Sequence, residues 1–152
     1  MTHDEYDEID LRSFQTREQL KDAMEVVISN INDPKSSLKA EDVIVLVQSK
    51  VWQRRNNVAD LILELGMEEL TIANLTLKPT KLQYTTAVKF KGLERKNVIL
   101  IVDKPNKLTP YEWYIGCTRA IENLCIWQLH NYQEHELIEG RYQLKKAEVE
   151  KK

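Results

Sequence analysis

Thr85-Thr86-Ala87-Val88-Lys89-Phe90-Lys91-Gly92-Leu93-Glu94 places two ammonium groups, a glycine and a carboxylate in one short stretch between two apolar runs. Lysine amines attract phosphate oxygens, and glycine lets a backbone turn or approach a ligand with no side chain in the way. The charge around this stretch is lopsided. Lys78, Lys81, Lys89, Lys91, Arg95, Lys96, Lys104 and Lys107 face only Glu94 and Asp103, a local charge of +6 within a chain of net −2. Such an excess suits an anionic ligand, and it equally suits a solvated lysine rim around two strands. Phe90, the aromatic residue between the lysines, is expected to pack into the core.

The elements that must position this stretch follow from periodicity. Residues 9 to 14, IDLRSF, alternate as a first strand, and Thr16-Arg17-Glu18-Gln19 has the form of a capping box. Leu20, Met24, Val27, Ile28 and Ile31 then recur at helical spacing until Asp33-Pro34 stops the helix. VIVLV at 43 to 47 is apolar throughout and β-branched, the pattern of a strand covered on both faces. A second helix carries Val51, Val58, Leu61, Ile62 and Leu65 on one face and ends at Gly66. ELTIAN, LQYTTA and NVILIVD are three more strand candidates, the first being the weakest.

Thr109-Pro110-Tyr111-Glu112 opens a third helix with Thr109 as cap and Pro110 in the first turn. On that helix Trp113, Tyr114, Cys117, Ala120, Ile121 and Leu124 form an apolar stripe. Arg119 falls almost opposite, with Glu112, Ile115 and Glu122, so its guanidinium is expected to point outward. NLCIWQ at 123 to 128 is the last strand. Strands alternating with helices predict an α/β domain in three layers, α/β/α, around a mostly parallel sheet. Binding sites of such sheets gather at the carboxyl ends of the strands, and the segment TTAVKFKGLE leaves the strand LQYTTA at such an end.

With 152 residues and 42% apolar content, the chain fits one domain with an ordinary core. Residues 1–8 are expected to form an acidic, disordered start, 9–130 the domain, and 131–152 a charged tail. No apolar run approaches the roughly 18 residues needed to span a bilayer. The acidic start lacks a signal peptide's features, so a cytoplasmic monomer without a membrane partner is expected. Cys117 and Cys125 lack the spacing of a zinc site and are expected to be buried thiols; no metal site is expected.

Thr86 followed by Lys91-Gly92-Leu93-Glu94 and the strand NVILIVD resembles motif V of superfamily 1 helicases of the UvrD/Rep type. Trp113 to Ala120, WYIGCTRA, followed by ENLCIW resembles their motif VI, and VIVLVQSK is placed like motif IV. The resemblance implies the second, C-terminal RecA-like domain of an ATP-dependent DNA helicase or translocase. Arg119 would be the arginine finger directed at the γ-phosphate, with Lys91, Gly92, Glu94, Thr118 and Lys50 on the nucleotide side and Glu94 accepting from a ribose hydroxyl. Thr86, Val88 and Lys89 would face single-stranded DNA. ATP with Mg2+ would be held mainly by a separate N-terminal RecA-like domain.

Two positions depart from the pattern: Val88 stands where the family carries histidine, and Gln48-Ser49-Lys50 where motif IV has arginine, so Lys50 would offer a point charge without a planar fork. A P-loop needs two glycines and a lysine within one short loop, and Gly66, Gly92, Gly116 and Gly140 are too widely spaced for one. Too few residues separate Gly66 from Tyr84 for the large insertion that many UvrD-type proteins carry. The isolated chain is therefore expected to be inactive, either an excised C-terminal domain or a degenerate module. A non-catalytic single-stranded nucleic-acid-binding module, or a regulatory partner inserting Arg119 elsewhere, is the alternative.

Overall fold

The computed structural model describes residues 10–47, 57–86, 89–90, 92–102 and 119–129. In chain order the elements are β1 (Asp10–Ser13), α1 (Arg17–Asn32), a 3-10 turn (Ala40–Asp42), β2 (Val43–Val47), α2 (Asn57–Glu64), β3 (Glu68–Glu69), β4 (Gln83–Thr86), β5 (Arg95–Val102) and β6 (Ala120–Gln128). The six strands form one sheet in the order β1-β6-β5-β2-β4-β3, and every pairing is parallel. The chain steps across the sheet from β1 to β2 to β3 and returns through β4, β5 and β6. The outward crossovers, α1 and α2, share one face, while Phe90, between β4 and β5, packs on the other. Crossovers of one constant hand require that division.

Local chemistry explains where the helices begin and end. Thr16 Oγ1 accepts from the Gln19 amide at 3.2 Å, and the Gln19 side chain reaches back to the Gln15 amide at 2.8 Å, one residue before the cap. At the end of α2, Gly66 adopts φ +67°; its amide donates to the Leu63 carbonyl and that of Met67 to Ile62, a complete Schellman closure.

The sheet core divides by parity. Val43, Val45, Val47, Ile99, Ile101 and Trp127 lie under α1 and α2, whereas Ile44, Leu46, Val98, Leu100, Leu124 and Ile126 enclose Phe90. β2 is buried throughout, as a run of VIVLV predicts. The two described helices are stapled at the surface. Glu64 on α2 accepts from Arg17 and, at 2.9 Å, from Lys21, both on α1.

Two expectations change. ELTIAN contributes no strand of its own: β3 is only Glu68–Glu69, because the Asn74 side chain takes the Glu69 carbonyl at 2.9 Å and the Thr71 amide at 2.8 Å, competing with a ladder. The third helix, expected from Thr109, falls largely on 109–118, outside the described residues, as do Val51 and the two chain ends. Its expected continuation through Leu124 does not occur, since Ala120 onward is strand. β5 is eight residues long, and its polar backbone pairs with β6 from Arg95 to Val102. That pairing outweighs the helical spacing of Ala120, Ile121 and Leu124.

Candidate functional site

The segment from Thr86 to Arg95 spans the sheet from end to end. Val47 is level with Thr86 on β4 and with Ile101 on β5. Ile101 lies near the carboxyl end of β5, and at about 3.3 Å per residue this puts Thr86 roughly 20 Å from the level of Arg95. The predicted site residues therefore do not all fall together. One group, Thr86 and Lys89, sits at the carboxyl end of β4; Glu94 stands directly before β5 at its amino end, and Gly92 lies between them in a turn closed by the Leu93 amide on the Phe90 carbonyl at 3.1 Å. The segment thus leaves β4 at its carboxyl end, as expected; a hydrophobic pattern does not reveal that so short a connection then recrosses the sheet.

At the first group, Thr86 organises a turn. Its hydroxyl oxygen accepts from the Lys89 amide at 3.3 Å and its carbonyl from the Phe90 amide at 3.2 Å. Phe90 is fully buried and anchors the middle of the segment. Lys89 is exposed and borders an open groove of about 420 Å³ with Glu69, Ile72, Leu75, Thr85 and Leu93. The groove thus combines an ammonium, the Glu69 carboxylate and two threonines, Thr71 and Thr85, with an aliphatic wall.

In the turn that follows Phe90, Gly92 has φ +81°, and a Cβ there would meet nothing within 4 Å. Glycine is required by the backbone conformation and not by a close protein neighbour. Glu94 is exposed. Arg119 meets the chain one residue beyond Glu94, where the Arg95 amide donates to its carbonyl at 3.2 Å. Arg119 does not project from a helix. It occupies a bend immediately before β6, is half-buried, and holds its Nε out of solvent with no hydrogen-bond partner among the described residues. The outward guanidinium expected from helical spacing is corrected to one with its inner nitrogen covered. Lys50, Val88, Lys91 and Thr118 lie outside the described residues.

Arg95, which the sequence marks only as one basic residue among eight, turns inward. Its guanidinium donates to the carbonyls of Val43 at 3.1 Å and Ala40 at 3.5 Å and to Gln83 Oε1 at 2.8 Å. Gln83 is buried and passes the chain on to Glu68 through Nε2 at 2.7 Å. Burial pushes the Arg95 guanidinium below its ordinary value, with the carboxylates of Asp42 and Glu41 opposing. The available signal was positional: a cation directly before NVILIV has its stem drawn toward the sheet.

Lys78 stands 3.7 Å from Glu41, so the +6 stretch is not one uniform patch. Its free positive charge among the described residues is carried by Lys81, Lys89 and Lys96, all exposed.

No protein-family model matches the chain, and no curated protein sequence does. Its fold is similar to a solved structure from a Lactobacillus strain, WCFS1, described as the C-terminal domain of a possible DNA helicase. The two superpose with a TM-score of 0.51 at 15% identity, over 81% of this chain and 73% of the other. At that identity the likeness speaks to architecture: this chain is an α/β domain of the RecA-like kind, built on a six-stranded, all-parallel sheet.

Proposed function

We propose that this chain is the second motor domain of an ATP-dependent DNA helicase or translocase of the UvrD/Rep type, contributing one half of a composite ATPase site. The observation that carries the reading is Arg119. Its carbonyl accepts from the Arg95 amide, one residue after Glu94, and its side chain is half-buried with only Nε fully covered, so a phosphate would meet the guanidinium at its terminal nitrogens. Those nitrogens suit a phosphate, because arginine keeps its charge and offers parallel donors. The bond from the Arg95 amide to the Arg119 carbonyl supports a site shared by the two helicase-like segments.

ATP, held with its Mg2+ on a P-loop domain outside this chain, supplies the γ-phosphoryl group that is transferred to water. Arg119 stabilises the charge that develops on the equatorial oxygens, and the Glu94 carboxylate accepts from the ribose. Lys91, Thr118 and Lys50 complete the nucleotide side of this reading. At the far end of the crossing segment, Thr86, Val88 and Lys89 contact the backbone of single-stranded DNA. Thr86 uses its hydroxyl oxygen as an acceptor within the turn, which leaves the hydroxyl proton to donate outward.

A second reading is supported by the groove beside Lys89: a module that binds single-stranded nucleic acid without catalytic duty. A labelled oligonucleotide titrated at rising salt, alongside an ATP hydrolysis assay of the 152-residue chain, separates the two. The motor reading expects no hydrolysis and weak DNA binding, because the strand lies across two domains. Binding at micromolar concentration with a steep salt slope favours the module. Hydrolysis by the chain alone overturns the half-site.

A further inference from the structure

The sheet is irregular immediately after Arg119. Arg95 is level with Ala120 but Asn97 with Asn123, so β6 carries one extra residue over this interval. A bulge bends its strand and re-aims the neighbouring side chains. Left alone it is a soft place, and here it is bracketed by side-chain hydrogen bonds. On the inner side Asn123 Nδ2 donates to Asn97 Oδ1 at 2.8 Å, and Asn97 Nδ2 reaches the Asp42 carbonyl at 3.4 Å. On the outer side stands Arg95.

Three links meet at Arg95. Its backbone amide holds the Arg119 carbonyl, its guanidinium joins the start of β2 to Gln83 on β4, and it follows directly on Glu94. A half-buried cation is a costly way to begin a strand, since desolvating a charge is unfavourable unless it is well hydrogen-bonded. Backbone pairing alone would be satisfied by an apolar residue. What the guanidinium adds is a rigid fork spanning acceptors on two strands, which lysine's single ammonium cannot reproduce.

We propose that Arg95 is a positioning residue that fixes the distance and direction between the Gly92–Glu94 bend and Arg119, clamping the bulge through the amino ends of β2 and β4. The proposal rests on the half-site reading above for its functional meaning, but not for its test. The 15N-labelled 152-residue chain is compared as wild type, Arg95→Gln and Arg95→Lys, following the Nε–H resonance of Arg119 and the amide of Gly92 by NMR. In the wild type the Arg119 Nε–H gives one sharp signal that exchanges slowly with water. Both variants are expected to accelerate that exchange by about tenfold or more and to shift the Gly92 amide, while the amides of β2 residues such as Val45 keep their protection.

An Arg119 signal unchanged in a folded Arg95 variant overturns the proposal, as does loss of protection spread evenly over the sheet, which marks Arg95 as a general strut. Should Arg95→Gln not fold, Arg95→Lys retains the charge and the stem and decides the question. A displaced Arg119 signal combined with normal ATP turnover by Arg119→Ala in an enzyme carrying this domain keeps the clamp and removes the half-site. An undisturbed Arg119 signal with abolished turnover does the reverse.

Discussion

Truncating Phe90 to alanine tests whether the crossing segment is anchored as the structure indicates. The ring is 1% exposed and sits among Ile44, Leu46, Val98, Leu100, Leu124 and Ile126 on the face opposite α1 and α2. Removing it forfeits the transfer energy of the ring and leaves a cavity between rigid strands, a combination that costs about 3–5 kcal/mol in comparable cores. For a domain of this size each kcal/mol lowers the melting temperature by about 2–4 °C, so a fall of roughly 6–20 °C is expected. Urea unfolding followed by far-UV circular dichroism should give a reduced midpoint with an unchanged slope. Lys89→Ala, one residue away and exposed, should stay within about 0.5 kcal/mol of wild type. A Phe90→Ala midpoint shift worth less than about 1 kcal/mol would refute the reasoning, because it would mean that the ring is not what ties the segment to the sheet.

Gly92→Ala should cost about 1–2 kcal/mol by thermal melt, through backbone strain at φ +81° and not through a clash, since the space at the added Cβ is open. Gly92→Asn should then recover part of the loss, because asparagine tolerates that region; equal losses for both would contradict the assignment. Glu64 has a carboxyl held below its ordinary value by hydrogen bonds from Lys21 and Arg17. Its contribution is present above the unfolded carboxyl pKa and is lost as pH falls through the depressed folded value. Glu64→Gln should therefore unfold with a flatter acid limb than wild type, and parallel pH–stability curves would disprove the linkage. Burial pushes the Cys125 thiol up to about 12, so in a Cys117→Ser background it should react with a thiol reagent at pH 8 only on unfolding.

Much of the fold could be read from the chain because its signals were local. VIVLV could only be a strand buried on both faces, Thr16 could cap only the helix that follows it, and Gly66 could end α2 with a positive φ. The features that escaped were tertiary. AIENL has the spacing of a helix and becomes strand only because β5 requires a partner along its whole length. Asn74 redirects ELTIAN into a loop through side-chain bonds that no periodicity encodes. Arg95 could be recognised as a clamp only once β2 and β4 were known to start beside it. That Thr86 and Glu94 stand near opposite ends of the sheet was not legible, because it depends on how β4 and β5 are registered through β2.

The most direct measurement of the central claim is ATP turnover by an enzyme in which this domain faces a P-loop domain, compared between wild type and Arg119→Ala. The half-site account predicts a fall in kcat of about 10³- to 10⁵-fold with little change in KM and an intact fold. Turnover within about threefold of wild type would contradict it, since a group that stabilises the transferring phosphoryl cannot be removed so cheaply.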